Sequence, residues 1–186
     1  PGLDAVIICS PTDAHAGQTE RALAAGKHVL CEIPLATSLA DSDRLTALAA
    51  ARDLRLMACH TQRFYPPLIE ARRRIATGEL HVHSITSRYM FQRRANINWM
   101  GRARSWTDNL LWHHGCHAVD AALWLVGDGE PDSTAPIDVV AQVALPSANL
   151  AIPMDLSILI RTARDQVLSV QVEMDAHVFV GHTVHG

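Results

Sequence analysis

The hydrophobic positions of this chain fall into two rhythms. From Asp4 to about His60, short unbroken apolar runs alternate with stretches of helical spacing. Asp4-Ala-Val-Ile-Ile-Cys-Ser10 is a continuous apolar run closed by Ser-Pro-Thr, the pattern of a strand buried in a parallel sheet. Thr12 is placed to cap a helix over 13–25, with Asp13 in its first turn and Gly26 at its end. Lys27-His-Val-Leu-Cys31 reads as the next strand. Ser38 opens a second helix reaching about Asp53, with Asp41 three residues on as an imperfect capping box and Leu39, Leu45, Leu48 and Ala49 facing inward. Leu54 to His60 is a third strand, so strands and helices alternate as in an open parallel sheet.

The rhythm then changes. Pro66 or Pro67 starts a basic helix carrying Arg72, Arg73 and Arg74, stopped by Gly78. His81 to Phe91 alternates polar and apolar, as a half-buried strand does. Leu110, Leu111, Val119, Leu123 and Trp124 recur at helical spacing, and Gly127 ends that helix. The runs 137–145, 154–162, 166–174 and 178–184, joined by short turns, read as an antiparallel sheet. The expected fold class is α/β followed by α+β, divided between residues 1–62 and 63–186.

Composition narrows the function classes. The chain has 186 residues, 48% of them hydrophobic and 19% charged, with a net charge of −3, an ordinary globular balance. That charge argues against nucleic acid as a partner, although Trp99 and Trp106 interleave the arginines as stacking residues would. No apolar run approaches a membrane span. Cys9, Cys31, Cys59 and Cys116 form no C-x-x-C pair and read as reduced thiols of a cytoplasmic protein.

Three features carry chemistry. Ser10 to His15, Glu32 to Leu35 and His60 to Tyr65 follow the three expected strands, at the edge where open parallel sheets bind ligands. Between Leu80 and Thr107 there is no acid, yet Arg88, Arg93, Arg94, Arg102 and Arg104 stand there with Asn96 and Asn98. Guanidinium groups bind carboxylates through paired planar hydrogen bonds, so this loop suits a small anionic substrate. Finally, His113, His117 and Asp120 stand at i, i+4 and i+7 on one helical face, where a histidine can act as general base or two can hold zinc.

Five stretches in register make the chain resemble the Gfo/Idh/MocA oxidoreductase family. They are Asp4-Ala-Val-Ile-Ile-Cys-Ser-Pro-Thr12 with His15, then Ala24-Ala-Gly-Lys-His-Val29, then Glu32 with Pro34 and Leu35, then Arg63-Phe64, then Gly115 with His117 and Asp120. A narrower likeness rests on Glu32-Ile-Pro-Leu-Ala36, His60-Thr-Gln-Arg-Phe64, Arg93-Arg-Ala-Asn-Ile-Asn98, Arg104-Ser-Trp-Thr-Asp108, Leu110-Leu-Trp-His-His114 and Met154-Asp-Leu-Ser157. It points to members that oxidise the cyclic hemiacetal of an aromatic ring-fission semialdehyde to a pyrone dicarboxylate.

The resemblance implies that residues 1–62 are the C-terminal half of a Rossmann domain and 63–186 an incomplete substrate-binding and dimerisation domain. It implies NADP as cofactor, with NAD also compatible, held through Ser10, Pro11, Thr12, His15, Glu32, Ile33 and Pro34. His117 becomes the general base, His113 its assistant, and Asp120 the group that fixes the imidazole tautomer. Arg63, Arg94 and Arg104 become carboxylate clamps, with Asn96, Asn98, Trp112 and His114 completing the substrate site. A homodimer through the antiparallel sheet is expected.

Two residues depart from the family pattern: Ile33 replaces a lysine usual beside the substrate hydroxyl, and His113 replaces a usual aspartate. Proton transfer then rests on the histidines, and a hemiacetal hydroxyl is acidic enough for a site without lysine. No G-x-G-x-x-G is present, so the chain is expected to be truncated at both ends and inactive alone. Four other readings compete: a family dehydrogenase acting on a sugar or hydroxyacid, a zinc lyase or hydrolase on His113, His117 and Asp120, a thiol aldehyde dehydrogenase using Cys116, and a non-catalytic metabolite sensor.

Overall fold

A computed structural model of the chain describes residues 2–98, 100–105, 107–127 and 134–186; Trp99 and Trp106, the expected stacking residues, lie outside them. The chain divides into two compact units, Pro1–His60 and Thr61–Gly186. The 3₁₀ turn Thr61–Phe64 therefore goes whole with the second unit, where the change of rhythm falls and two residues before the expected division at 62/63.

In the first unit, β1 (Ala5–Ile8), α1 (Thr12–Ala24), β2 (His28–Cys31), α2 (Leu39–Ala51) and β3 (Leu56–Ala58) follow one another. The three strands pair in parallel in the order β1-β2-β3. Ile8, Leu23, Val29, Cys31, Leu45 and Ala49 form the core. Ser38 caps α2 as its spacing predicts, accepting from the Asp41 amide at 3.1 Å and donating to the Asp41 carboxylate at 2.7 Å. Two local expectations change. Thr12 is the first helical residue and Pro11 the N-cap, without a side-chain bond, because α1 begins directly after the proline. Leu39 is 76% exposed, since the first position of α2 projects from the end of the helix before its buried stripe begins.

In the second unit, α3 (Pro66–Ala76) and β4 (Ser84–Gln92) precede a π-type helical segment, Thr107–Gly115, that runs straight into α4 (Cys116–Val126). β5 (Pro136–Val143), β6 (Asp155–Thr162), β7 (Val167–Glu173) and β8 (Asp175–His185) complete a five-stranded sheet in the order β5-β6-β7-β4-β8. All its pairings are antiparallel except β4 with β7, because β4 inserts between β7 and β8, far from it in sequence. Alternating residues of β4, β6 and β7, among them Ile85, Ile158, Leu168 and Val170, pack on Leu110, Ala118, Ala121, Ala122 and Leu125. Four residues of α4 in that set are fully buried alanine or leucine side chains, so the helix lies close on the sheet. Arg72 of α3 sits over the Trp124 ring, 5.6 Å from its centroid, and donates to the Leu125 carbonyl at 3.3 Å.

The π-type segment alters the geometry expected of the histidine stretch. A Cβ at Gly115 would meet the Leu110 carbonyl at 3.0 Å, the oxygen five residues back, so the wide turn closes over a residue without a side chain. His113 lies in the π-type segment and His117 and Asp120 in α4, so the uniform α-helical pitch behind the one-face expectation is not kept.

Candidate active site

The loops leaving β1, β2 and β3 emerge at one edge of the parallel sheet, and the first two are tied by buried groups. His15, three residues into α1 and 2% exposed, places Nδ1 2.7 Å from the Pro34 carbonyl and Nε2 2.7 Å from the Ser10 carbonyl. The Ser10 hydroxyl donates to Gln18 Oε1 at 2.7 Å. Ile33 and Pro34 are buried and joined by a cis peptide bond. Glu32 accepts from the Ile33 amide at 3.3 Å and from the Cys59 thiol, whose pKa is pushed up by burial first and by Glu32 next.

Of the expected cofactor contacts, Ser10, Pro11, Thr12, Glu32, Ile33 and Pro34 thus stand together at this edge. His15 has a different occupation, since both its nitrogens bond within the protein. Gln18 and Cys59 were not singled out from sequence. The signal for Cys59 lies in strand register: Cys31 pairs with Ala58, which sets Glu32 beside Cys59.

In the second unit, Arg63 donates through Nε and Nη2 to the two carboxylate oxygens of Asp120, at 2.8 and 2.6 Å. This fork raises the arginine pKa, and it occupies the guanidinium that was expected to clamp a substrate carboxylate. The pair ties the 3₁₀ turn to α4.

His114 stacks on Phe91 with ring centroids 4.5 Å apart, meets the His113 ring edge-on at 4.8 Å, and accepts from Arg93 Nη2 at 3.3 Å. Its pKa is pushed down to about 3 by burial first, and then by His113, Arg93, His117 and Arg104. His114 is therefore a neutral imidazole with the guanidinium groups of Arg93 and Arg104 near it. His117 lies parallel to the Tyr89 ring, 6.5 Å between centroids. Trp112 is half-buried, and its carbonyl accepts from the Cys116 thiol at 3.1 Å. Burial pushes that thiol up to about 12, so Cys116 is no nucleophile at neutral pH. Among the described residues, His113, His117 and Asp120 do not bring three ligand atoms to a common point.

The arginine loop is a small hairpin. Ile97 bridges to Ala103, and Gly101 takes a left-handed φ of 74° at its tip. Asn98 Oδ1 accepts from the Met100 and Arg102 amides at 2.9 and 3.0 Å, and Asn96 Nδ2 donates to the Arg104 carbonyl at 2.8 Å. Both asparagines thus shape the loop, while Arg94 is exposed and Arg104 half-buried.

Sequence reasoning passed over a polar set beneath the histidines. Ser87 donates to His182 Nδ1 at 2.7 Å, and His182 Nε2 donates to Gln62 Oε1 at 3.3 Å. Burial lowers the His182 pKa, in keeping with the single neutral tautomer these bonds select. Tyr89, 3% exposed, lies between His117 and His182, and its hydroxyl has no hydrogen-bond partner among the described residues. Ser87 and Tyr89 share the inner face of β4 by strand alternation; the pairing of Ser87 with His182 on β8 is long-range and carries no local signal.

Residues 68–184 match the family model described as bacterial oxidoreductases, C-terminal, and residues 1–60 the one described as oxidoreductase family, NAD-binding Rossmann fold. A 4-carboxy-2-hydroxymuconate-6-semialdehyde dehydrogenase from Sphingobium sp. is 43% identical over 125 residues, which cover 67% of this chain and 40% of that protein. An oxidoreductase domain protein from Kribbella flavida superposes with a TM-score of 0.82 at 22% identity, over 98% of this chain and 52% of that one. GenD2 from gentamicin A biosynthesis, solved in complex with NAD, superposes with a TM-score of 0.74 at 22% identity, over 97% of this chain and 51% of that one. The two solved structures share the fold, and the chain spans about half or less of the length of each of these relatives.

Proposed function

Because the chain belongs to the Gfo/Idh/MocA oxidoreductase family, we propose that the whole protein oxidises the cyclic hemiacetal of 4-carboxy-2-hydroxymuconate-6-semialdehyde to 2-pyrone-4,6-dicarboxylate with NADP. The observation that carries this reading is the pair of guanidinium groups, Arg93 and Arg104, beside His114. Arg93 donates to the His114 ring at 3.3 Å, and Arg104 brings a second positive charge near it. A site of that sign favours a substrate with more than one carboxylate. Similarity to the Sphingobium dehydrogenase supports the same substrate class.

The residues at the edge of the parallel sheet fit the nicotinamide half of a dinucleotide. Ser10 and Thr12 offer hydroxyls, Glu32 offers a carboxylate, and α1 opens there with Pro11 supplying no side-chain cap. When bound, the nicotinamide supplies hydride acceptance. His117 takes the hydroxyl proton as the carbon–hydrogen bond is given up, leaving the ring carbonyl of the lactone. His113 assists or orients His117, and Arg94 and Arg104 hold carboxylates. Asn96 and Asn98 act through the loop they shape, and Trp112 and His114 form the wall. Val140, Leu159 and Phe179, exposed on the outward face of the five-stranded sheet, support a homodimer through that face.

Expression from the full reading frame, with the protocatechuate 4,5-ring-fission product and NADP, tests the reading. Formation of the pyrone dicarboxylate is the expected result. Oxidation of sugars or inositols with no turnover of the ring-fission product would overturn the substrate assignment.

A further inference from the structure

We infer that His15 is held as an imidazolium whose two N–H groups bolt the loop after β1 to the loop after β2, which makes it the positioning residue of this sheet edge. Its two nitrogens each lie 2.7 Å from a carbonyl oxygen, Pro34 on one side and Ser10 on the other. A carbonyl oxygen only accepts, and a neutral imidazole has one N–H. In the neutral ring one nitrogen lone pair would face an oxygen lone pair at that distance, in a place 2% exposed. Protonation turns both contacts into charge-assisted hydrogen bonds.

The surroundings agree with a cation. The Cys31 thiol beside the ring contributes most to raising the pKa of His15, to about 9, followed by the Pro34 and Ser10 carbonyls, against the opposing effect of burial. Among the described residues, the Glu32 carboxylate on the second loop is engaged by the Ile33 amide and the Cys59 thiol, and the elements packed on α1 place their charges elsewhere. β1 has no titratable side chain, and on α2 Arg44 bonds to Asp41 and Glu20 at the surface. His28, at the far end of β2, accepts from the Arg55 amide at 2.9 Å. The first turn of α1 disfavours a cation, and the two carbonyl dipoles aimed at the ring offset it.

Ser10 is thereby gripped twice from α1, its carbonyl by His15 and its hydroxyl by Gln18. Pro34 is gripped by the same imidazole. Both loops are fixed to one helix through a single ring. The bolt is closed at neutral pH and opens as pH rises through about 9.

The test needs neither substrate nor cofactor. In the intact protein labelled with ¹⁵N-histidine, the His15 signals, identified by their loss in His15→Gln, are followed from pH 6 to 10. The expected result is a ring protonated on both nitrogens through pH 8. A His15 ring with one unprotonated nitrogen at pH 7.5 would overturn the inference. At fixed pH 7, His15→Leu should speed amide hydrogen exchange in residues 9–12 and 32–36 together, on the order of tenfold, as losing roughly one net hydrogen bond per loop implies. His15→Gln, whose amide retains two N–H donors, should restore part of that protection. Faster exchange in only one of the loops would contradict the double grip.

Discussion

Replacing Asp120 and Arg63 in turn should cost unequal amounts of stability, with the arginine the more expensive to lose. The two side chains make a fork of 2.8 and 2.6 Å, but they differ in hydration: the Asp120 side chain is 13% exposed and that of Arg63 41%. Breaking a fully buried pair costs about 3–5 kcal/mol, and an exposed pair contributes about 0–1. In Asp120→Asn, the guanidinium left behind keeps much of its water, so the loss should be about 2 kcal/mol after that discount. In Arg63→Ala, a nearly dehydrated carboxylate loses both hydrogen bonds of the fork, and about 3 kcal/mol is expected. Urea unfolding of the second unit, followed by Trp fluorescence, reads both as midpoint shifts at constant m, and the double variant gives the coupling. Equal losses, or a larger loss for Asp120→Asn, would refute the reasoning from unequal hydration.

The low pKa of His114 makes stability depend on pH. The ring is neutral in the folded protein down to about pH 3 and titrates near 6.5 when unfolded, so the unfolded chain binds more protons between those values. Stability from this group is complete above pH 6.5 and falls as pH drops, by about 1.4 kcal/mol per unit. Between pH 7 and 5 the native protein should therefore lose about 2 kcal/mol more than His114→Gln, and parallel losses in paired denaturation curves would contradict this. Tyr89→Phe removes a buried hydroxyl that has no partner among the described residues, so it should leave stability unchanged or raise it by up to about 1 kcal/mol. A clear destabilisation in thermal unfolding would mean that the hydroxyl is bonded. Leu168→Ala, in the centre of the sheet core, should cost about 2–5 kcal/mol by chemical denaturation; under 1 would place that core elsewhere.

Much of the fold was legible because it rests on local pattern. Continuous apolar runs marked β1 and β2, alternation marked β4, and Ser38 with Asp41 marked the start of α2. The family, too, was legible from short motifs, and the matches over residues 1–60 and 68–184 agree with it. What escaped depends on pairings distant in sequence. Nothing near Ser87 announces His182, ninety-five positions away, and nothing near Arg63 announces the fork to Asp120. The parallel pairing of β4 with β7 is likewise a property of strand order, which turn lengths alone do not fix. The histidine stretch was misjudged in pitch for a local reason, since a π-type turn and an α-turn use the same apolar residues and only the closure over Gly115 separates them.

The most direct test of the central claim compares the full-length protein with its His117→Ala variant, following NADP reduction by the hemiacetal at saturating substrate. The account predicts pyrone dicarboxylate formation by the native protein and a kcat lowered by about a hundredfold or more in the variant, as loss of a general base implies. An unchanged kcat would contradict the histidine mechanism, and the absence of NADP reduction by the native protein would contradict the assigned reaction itself.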